Sequence, residues 1–86
     1  MARTIDVEHV PAGAAVELYI SPTCPYCAQA MSHYDRAGVR YSAYDAQNDR
    51  VLRERMFSYT GGDPTVPAII VDGRYVQSGW GKPPRG

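Results

Sequence analysis

Residues 16–31 read VELYISPTCPYCAQAM, and this stretch decides the fold. Apolar residues at positions 16, 18 and 20 alternate with Glu17 and Tyr19, the period-two pattern of a strand with one face more buried than the other. Pro25 stands where helices often begin, and positions 27, 31 and 34 then recur on one helical face. The segment predicts a strand, a tight loop carrying Cys24, and a helix.

The rest of the chain continues this alternation of strands and helices. Gly38 suits the end of the first helix, and a second strand, a second helix and a third strand are predicted at residues 39–45, 49–59 and 68–71. Asp72-Gly73 is a strong two-residue hairpin signal leading into a fourth strand at 74–77. Helical crossovers make the first two strands parallel, and the hairpin makes the last two antiparallel. The predicted fold is α/β: a four-stranded mixed sheet, β-α-β-α-β-β, flanked by two helices.

Composition limits the other possibilities. The chain has 86 residues, with nine Lys and Arg against nine Asp and Glu, so a nucleic-acid binder is not expected. No apolar run is long enough to span a bilayer and no signal peptide is recognised, so a cytoplasmic protein without membrane contact is expected. Residues 1–14 are interpreted as an extended arm or an extra edge strand, 15–80 as one domain, and 81–86 as a Gly/Pro-rich tail. No terminal helix is expected in that tail.

Cys24 and Cys27 are the only cysteines and carry the predicted chemistry. The start of a helix favours a thiolate, which makes Cys24 the candidate nucleophile. Cys27 lies one turn into the helix on its inward face, within reach of a disulfide with Cys24. It should be less exposed, with a higher pKa, and is the candidate resolving thiol. The pair predicts a dithiol–disulfide oxidoreductase.

The cysteine pair has three other interpretations. Two cysteines can be small buried residues with no chemistry. A zinc site would need about four ligands, and His9 and His33 have no recognisable ligand spacing from the pair, so no metal is expected. A cysteine hydrolase could use His33 as its base, but that residue lies far along the helix from Cys24 and is expected to face solvent.

Several segments together resemble a glutaredoxin of the thioredoxin fold over about Ala15–Gly79. They are Cys24-Pro25-Tyr26-Cys27 after a strand, Thr65-Val66-Pro67 before an apolar strand, and residues 72–76 with a following glycine. The resemblance implies that Pro67 is a cis proline beside the cysteines, that the Val66 backbone pairs with an incoming substrate, and that Tyr26 flanks bound glutathione. The candidate substrate and glutathione site also includes Pro25, Thr65, Gly79 and Trp80.

The resemblance also implies partners. The expected substrates are protein or glutathione disulfides, and the electron donor is glutathione as co-substrate or a flavoprotein reductase. No bound cofactor is expected, and the protein is predicted to be a monomer. An alternative on the same fold is an iron–sulfur carrier, in which Cys24 from two subunits and two thiol cofactors ligate a cluster.

The sequence departs from the glutaredoxin pattern near its end and before the cysteines. The family usually has a lysine at the place of Ser21, a Gly-Gly-x-Asp segment, and a last helix. The candidate cations that could replace this lysine are Arg53, Lys82 and Arg85. The segment 78–80, Ser-Gly-Trp, resembles redoxins that serve ribonucleotide reductase and take electrons from thioredoxin reductase. Trp80 either covers the sheet edge left by the missing helix or forms a wall of the substrate groove.

Overall fold

A computed structural model describes residues 6–11 and 13–86 and contains the predicted mixed sheet. Its elements are β1 (Val16–Ile20), α1 (Pro25–Ala37), β2 (Tyr41–Asp45), α2 (Arg50–Thr60), β3 (Ala68–Val71) and β4 (Arg74–Ser78). The strand order is β2-β1-β3-β4. Strand β1 is parallel to β2 and antiparallel to β3, and β3 is antiparallel to β4. The predicted α/β thioredoxin-like fold is confirmed.

The central strands β1 and β3 are largely buried on both faces because one helix packs on each face of the sheet. Leu18 of β1 lies in a core with Tyr34 of α1, and the next residue, Tyr19, lies in a second core with Met56 of α2. Successive strand residues point to opposite faces, so the two helices cover opposite sides of the sheet. The period-two prediction for β1 therefore understated the burial of Tyr19, which is fully enclosed.

Local signals set the ends of both helices. Helix α1 has Pro25 in its first turn and ends at Gly38, which adopts a left-handed conformation with φ of 70°. Helix α2 begins after Asp49, whose carboxylate accepts the Leu52 N–H at 3.1 Å. Asp49 is thus the N-cap rather than the first helical residue, and the helix is shifted by one residue from its predicted bounds.

The β3–β4 hairpin forms at Asp72-Gly73, as predicted. Both residues have positive φ, 52° and 79°, as the favoured two-residue hairpin turn requires. The Asp72 carboxylate accepts the Ala15 N–H at 2.9 Å, and the Asp72 N–H donates to the Ala15 carbonyl at 2.8 Å. The turn is thereby tied to the residue that precedes β1.

The arm packs on α1 rather than joining the sheet. Residues 6–11 form turns and contain no strand, which overturns the edge-strand interpretation for this part of the arm; residues 1–5 and 12 lie outside the described residues. Val7 is buried, and its carbonyl accepts the Tyr34 hydroxyl at 2.7 Å. The Glu8 carbonyl lies 2.7 Å from His33 Nε2. The expectation that His33 faces solvent is wrong, because the arm covers it.

The residues after β4 form a short turn in place of a helix. Trp80 and Arg85 make an isolated antiparallel bridge, with the Trp80 N–H donating to the Arg85 carbonyl at 2.7 Å and the Arg85 N–H returning at 3.0 Å. The Trp80 ring is 7% exposed and lies against His33 and Tyr34, with centroid distances of 5.3 and 5.6 Å. Trp80 is therefore buried in packing, as one of its two interpretations expects, but its ring lies on α1 rather than on the sheet edge. Among residues 6–11 and 13–86, no helix has the length and apolar character needed to cross a membrane.

Candidate functional site

Cys24 lies at the junction between the β1–α1 loop and the helix. Its backbone is extended, with φ of −86° and ψ of 117°, and it is the N-cap residue of α1. The Cys24 N–H donates to the Ser21 carbonyl at 3.2 Å, and the Cys24 carbonyl accepts the Ala28 N–H at 3.3 Å. The side chain is half-exposed. The loop and the first helical turn together hold one accessible sulfur at the carboxyl end of β1.

Cys27 lies one turn further along α1 and points into the protein. The side chain has no exposed surface, and the thiol is free, as is that of Cys24. The pKa of Cys27 is raised to about 12, chiefly by burial and in smaller part by the neighbouring Cys24. The two thiols thus differ in the way the sequence suggested: one is accessible, and the other is buried and protonated at neutral pH.

The loop before β3 brings a backbone carbonyl to Cys24. The Cys24 Sγ atom is 3.8 Å from the Val66 carbonyl oxygen, to which it donates. The Val66–Pro67 peptide bond is cis, and Pro67 is buried. The Gly79 N–H donates to the Pro67 carbonyl at 2.8 Å, so the end of β4 also reaches this loop. The cysteine motif and the Thr65-Val66-Pro67 segment, distant in sequence, therefore meet at the Cys24 sulfur, and Gly79 after β4 contacts the same loop through Pro67.

Asp63 supports this loop, and sequence reasoning missed it. Its carboxylate accepts the Thr65 N–H at 2.9 Å, and its carbonyl accepts the Thr60 hydroxyl at 3.0 Å. The hydrogen bonds from Thr65 lower the pKa of Asp63. An aspartate that bonds the backbone two residues on is a common turn device, and the Asp-Pro-Thr segment carried that signal. Asp63 fixes the approach of the chain to Val66.

A cleft of about 290 Å³ lies between Val66 and α2. Its polar lining is Ser21, Gln47 and Arg53, and the remaining lining residues are apolar: Ile20, Ala46, Met56, Phe57, Pro64 and Val66. The Ser21 hydroxyl donates to the Gln47 side-chain oxygen. The Arg53 guanidinium donates to the Ala46 carbonyl at 2.9 Å and to the Gln47 carbonyl. Gln47 is a second residue that the sequence analysis did not single out.

The three candidate cations occupy different places. Arg53 lines the cleft next to Val66. Lys82 Nζ lies 3.4 Å from a carboxylate oxygen of Glu8 in the arm. Arg85 is held in the backbone bridge with Trp80. Only Arg53, of these three, is held by its own hydrogen bonds in the wall of that cleft.

The remaining predicted residues border the site in different ways. Pro25 is exposed at the start of α1, whereas Tyr26 is half-buried and packs against the core on the α1 side. Thr65 is half-buried in the loop before Pro67. Trp80 turns its ring toward α1 and leaves little surface for a ligand. Within residues 6–11 and 13–86, no group of three or more His, Cys, Asp or Glu side chains is arranged to hold a metal ion.

Comparison with known proteins finds a family to which this chain is similar. A family model described as Glutaredoxin matches residues 16–76. A probable glutaredoxin of Synechocystis sp. is 32% identical over 63 residues, covering 73% of this chain and 72% of that protein. Glutaredoxin 3 of Escherichia coli is 33% identical over 63 residues, covering 73% and 75%. The family match starts at the first residue of β1 and ends within β4, so it leaves out the arm and the tail.

Solved structures give the same fold. A thioredoxin-like protein superposes with a TM-score of 0.65 at 27% identity, covering 73% of this chain and 80% of the other. The complex of buckwheat glutaredoxin with glutathione superposes with a TM-score of 0.63 at 20% identity, covering 73% and 59%. These similarities concern the architecture that carries the cysteine pair.

Proposed function

The chain belongs to the glutaredoxin family of thiol–disulfide redox proteins, and from this premise we propose that it reduces protein disulfides or glutathione mixed disulfides through the Cys24–Cys27 pair. One observation carries the proposal. An accessible Cys24 at the start of α1 stands 3.8 Å from the Val66 carbonyl, with a buried, protonated Cys27 one turn behind it. This arrangement separates an attacking thiol from a resolving thiol.

The reaction follows from that separation. The Cys24 thiolate attacks one sulfur of the substrate disulfide, the substrate S–S bond breaks, and the departing thiolate takes a proton. Cys24 is then joined to the other half of the substrate as a mixed disulfide. Cys27 attacks the Cys24 sulfur, and its proton passes to the second departing thiolate. Two electrons move from the dithiol to the substrate, and the product is a Cys24–Cys27 disulfide.

Burial gives Cys27 its role in this sequence of steps. Because its pKa is raised to about 12, Cys27 carries its proton at neutral pH and does not compete with Cys24 for the first attack. In the mixed disulfide, Cys27 is next to the Cys24 sulfur, so the second attack is intramolecular and favoured by proximity. The pair is restored by two electrons from outside, supplied by glutathione or by a flavoprotein reductase.

Glutathione is the proposed co-substrate, with its thiol directed at Cys24 and its backbone along Val66. Tyr26, Pro25, Thr65 and Gly79 border that position as proposed contacts. The cleft beside Val66 is mostly apolar but has the Arg53 guanidinium in its wall. A guanidinium is suited to bind a carboxylate, so Arg53 takes over the role of the lysine that the family usually has at the position of Ser21. Trp80 contributes chiefly by holding α1 in place.

The test is NADPH consumption with a glutathionylated peptide, glutathione and glutathione reductase. A parallel trace uses thioredoxin reductase and a protein disulfide without glutathione. Wild-type protein should turn over, Cys24→Ser should be inactive in both assays, and Cys27→Ser should keep activity only with the glutathionylated peptide. Retention of most activity by Cys24→Ser would overturn the assignment.

The same assays identify the electron donor. A glutathione site built around Arg53 is supported if the protein turns over with glutathione, if Arg53→Ala raises the KM for glutathione, and if Arg53→Lys restores it. Turnover only with thioredoxin reductase points to the second candidate, a redoxin that serves a specific reductase partner. Ser21 favours that candidate, because its hydroxyl is engaged by Gln47 and supplies no charge.

A further inference from the structure

The segment after Trp80 folds back onto the site, and we call residues 81–86 the strap. A Cβ atom added to Gly86 would overlap the Val66 carbonyl oxygen and lie 2.6 Å from Thr65 Cγ2. A Cβ added to Gly79 would lie 2.8 Å from the Arg85 nitrogen. The end of the strap is therefore seated on the carbonyl that also accepts the Cys24 thiol.

Few contacts hold the strap in this position. Its backbone is joined to Trp80 by the two hydrogen bonds of the Trp80–Arg85 bridge. Lys82 pairs with Glu8 at 3.4 Å, and these side chains are 76% and 33% exposed. An ion pair this exposed is weak and is screened by salt, so it supplies a modest, salt-dependent part of the attachment. By contrast, Trp80 is anchored in the core, so the strap can leave Val66 while its base stays fixed.

Resting on the proposed function, we propose that the strap competes with the substrate chain for Val66 and thereby selects substrates. In the proposed function a peptide joined to Cys24 through a disulfide runs along Val66 and pairs with its backbone, and Gly86 is seated on the Val66 carbonyl. Both chains cannot occupy it. A reagent that needs only the half-exposed sulfur reaches Cys24 with the strap in place.

The strap is a feature of this chain and lies outside the family match, which ends at residue 76. Its effect on affinity is set by the fraction of molecules with the strap docked. If nine molecules in ten are docked, the apparent affinity for a peptide disulfide is reduced about tenfold. Salt that screens the Glu8–Lys82 pair should therefore raise the rate with peptide substrates.

The experiment compares wild-type protein with a form lacking residues 81–86 and with Gly86→Ala. The proposal expects kcat/KM for a glutathionylated peptide to rise about tenfold without the strap, with a smaller rise for Gly86→Ala. Alkylation of Cys24 by iodoacetamide should change less than about twofold, because it requires no pairing with Val66. An unchanged or lowered kcat/KM in both variants overturns the proposal.

A matched pair of variants tests the attachment. Glu8→Gln removes the carboxylate that pairs with Lys82, and Glu54→Gln removes that of another exposed ion pair, with Arg50 at 3.3 Å. Only Glu8→Gln should raise kcat/KM and abolish its dependence on salt. Equal effects of the two substitutions would contradict a strap held by Glu8.

A measurement without turnover keeps the strap separate from the proposed function. In Cys27→Ser protein, a cysteine peptide is coupled chemically to Cys24, and hydrogen exchange is followed at the Trp80 and Arg85 amides, which make the bridge. Faster exchange in the mixed disulfide supports displacement of the strap, and unchanged exchange overturns it. If no protein form turns over any disulfide while Cys24 alkylates normally, the proposed function fails. The exchange result then decides by itself whether a chain bound at Cys24 displaces the strap.

Discussion

Cys27 should resist alkylation in the folded protein far more strongly than an exposed thiol does. The perturbation is Cys24→Ser, which leaves Cys27 as the only thiol. Iodoacetamide reacts with the thiolate, so the rate depends on how much thiolate the folded protein holds and on access to it. Both quantities are low at Cys27, whose side chain has no exposed surface.

The magnitude follows from the pKa of about 12, against 9.0 for an ordinary thiol. At about pH 7 this lowers the thiolate fraction from about one in a hundred to about one in a hundred thousand, roughly a thousandfold. The Cys24→Ser substitution removes the part of the pKa increase that Cys24 causes, but burial, the largest cause, remains. We therefore expect alkylation at least about a hundredfold slower than in the unfolded chain.

The assay is intact mass over time, in buffer and in concentrated guanidinium. Reaction of Cys27 in the folded protein within about tenfold of the unfolded rate would refute the reasoning.

The raised pKa of Cys27 also makes the stability of the fold depend on pH. Because the folded pKa lies above the unfolded one, neutral Cys27 contributes its full stabilisation below about pH 9 and loses it as the pH rises toward 12. Urea unfolding midpoints should fall across that range.

Three substitutions test the packing that positions the site. Trp80→Ala should lower the free energy of unfolding by about 3–5 kcal/mol in urea denaturation followed by circular dichroism, whereas Val51→Ala, 69% exposed, should change it by less than about 0.5 kcal/mol. Tyr34→Phe should cost about 1–3 kcal/mol by the same measurement, because the buried Val7 carbonyl loses its donor; no loss would contradict that bond. Asp49→Ala should cost about 1 kcal/mol and Asp49→Asn much less, since asparagine also caps; equal losses would rule out the cap.

Short-range signals were sufficient for the order of the elements and for their bounds to within one or two residues. The Asp72-Gly73 turn, Gly38 at the end of α1 and Pro25 at its start each restrict the backbone through their own chemistry, so no tertiary contact is needed to recognise them. The strand at β3 was predicted from four consecutive apolar residues, and all four are buried, as is typical of a central strand. For the same reason the position of Cys24 relative to Cys27 could be placed before the fold was known.

Features that depend on distant contacts were not predictable. Residues 6–11 have no sustained period, and their place is set by the Tyr34 hydroxyl and the His33 ring, which sequence patterns do not link to them. The spacing of apolar residues in α2 leaves Arg53 off the inward face of that helix. It could not show that the side chain bonds the Ala46 carbonyl at the edge of the cleft. Asp63 is different, because its contacts with Thr60 and Thr65 are local and the Asp-Pro-Thr segment carried a turn signal, but that signal does not show that the loop leads to Cys24.

The arm and the segment after β4 together complete the core on the α1 side of the sheet. Val7 and Trp80 supply buried apolar surface on the α1 side of the sheet, and the arm and tail are joined by the Glu8–Lys82 pair. A helix would satisfy its own backbone groups, whereas these residues bond to α1 and to each other. Because Trp80 is both the anchor of this packing and the base of the strap, loosening it should affect stability and access to Cys24 together. Trp80→Ala is therefore expected to speed hydrogen exchange at Arg85 as well as to destabilise the fold.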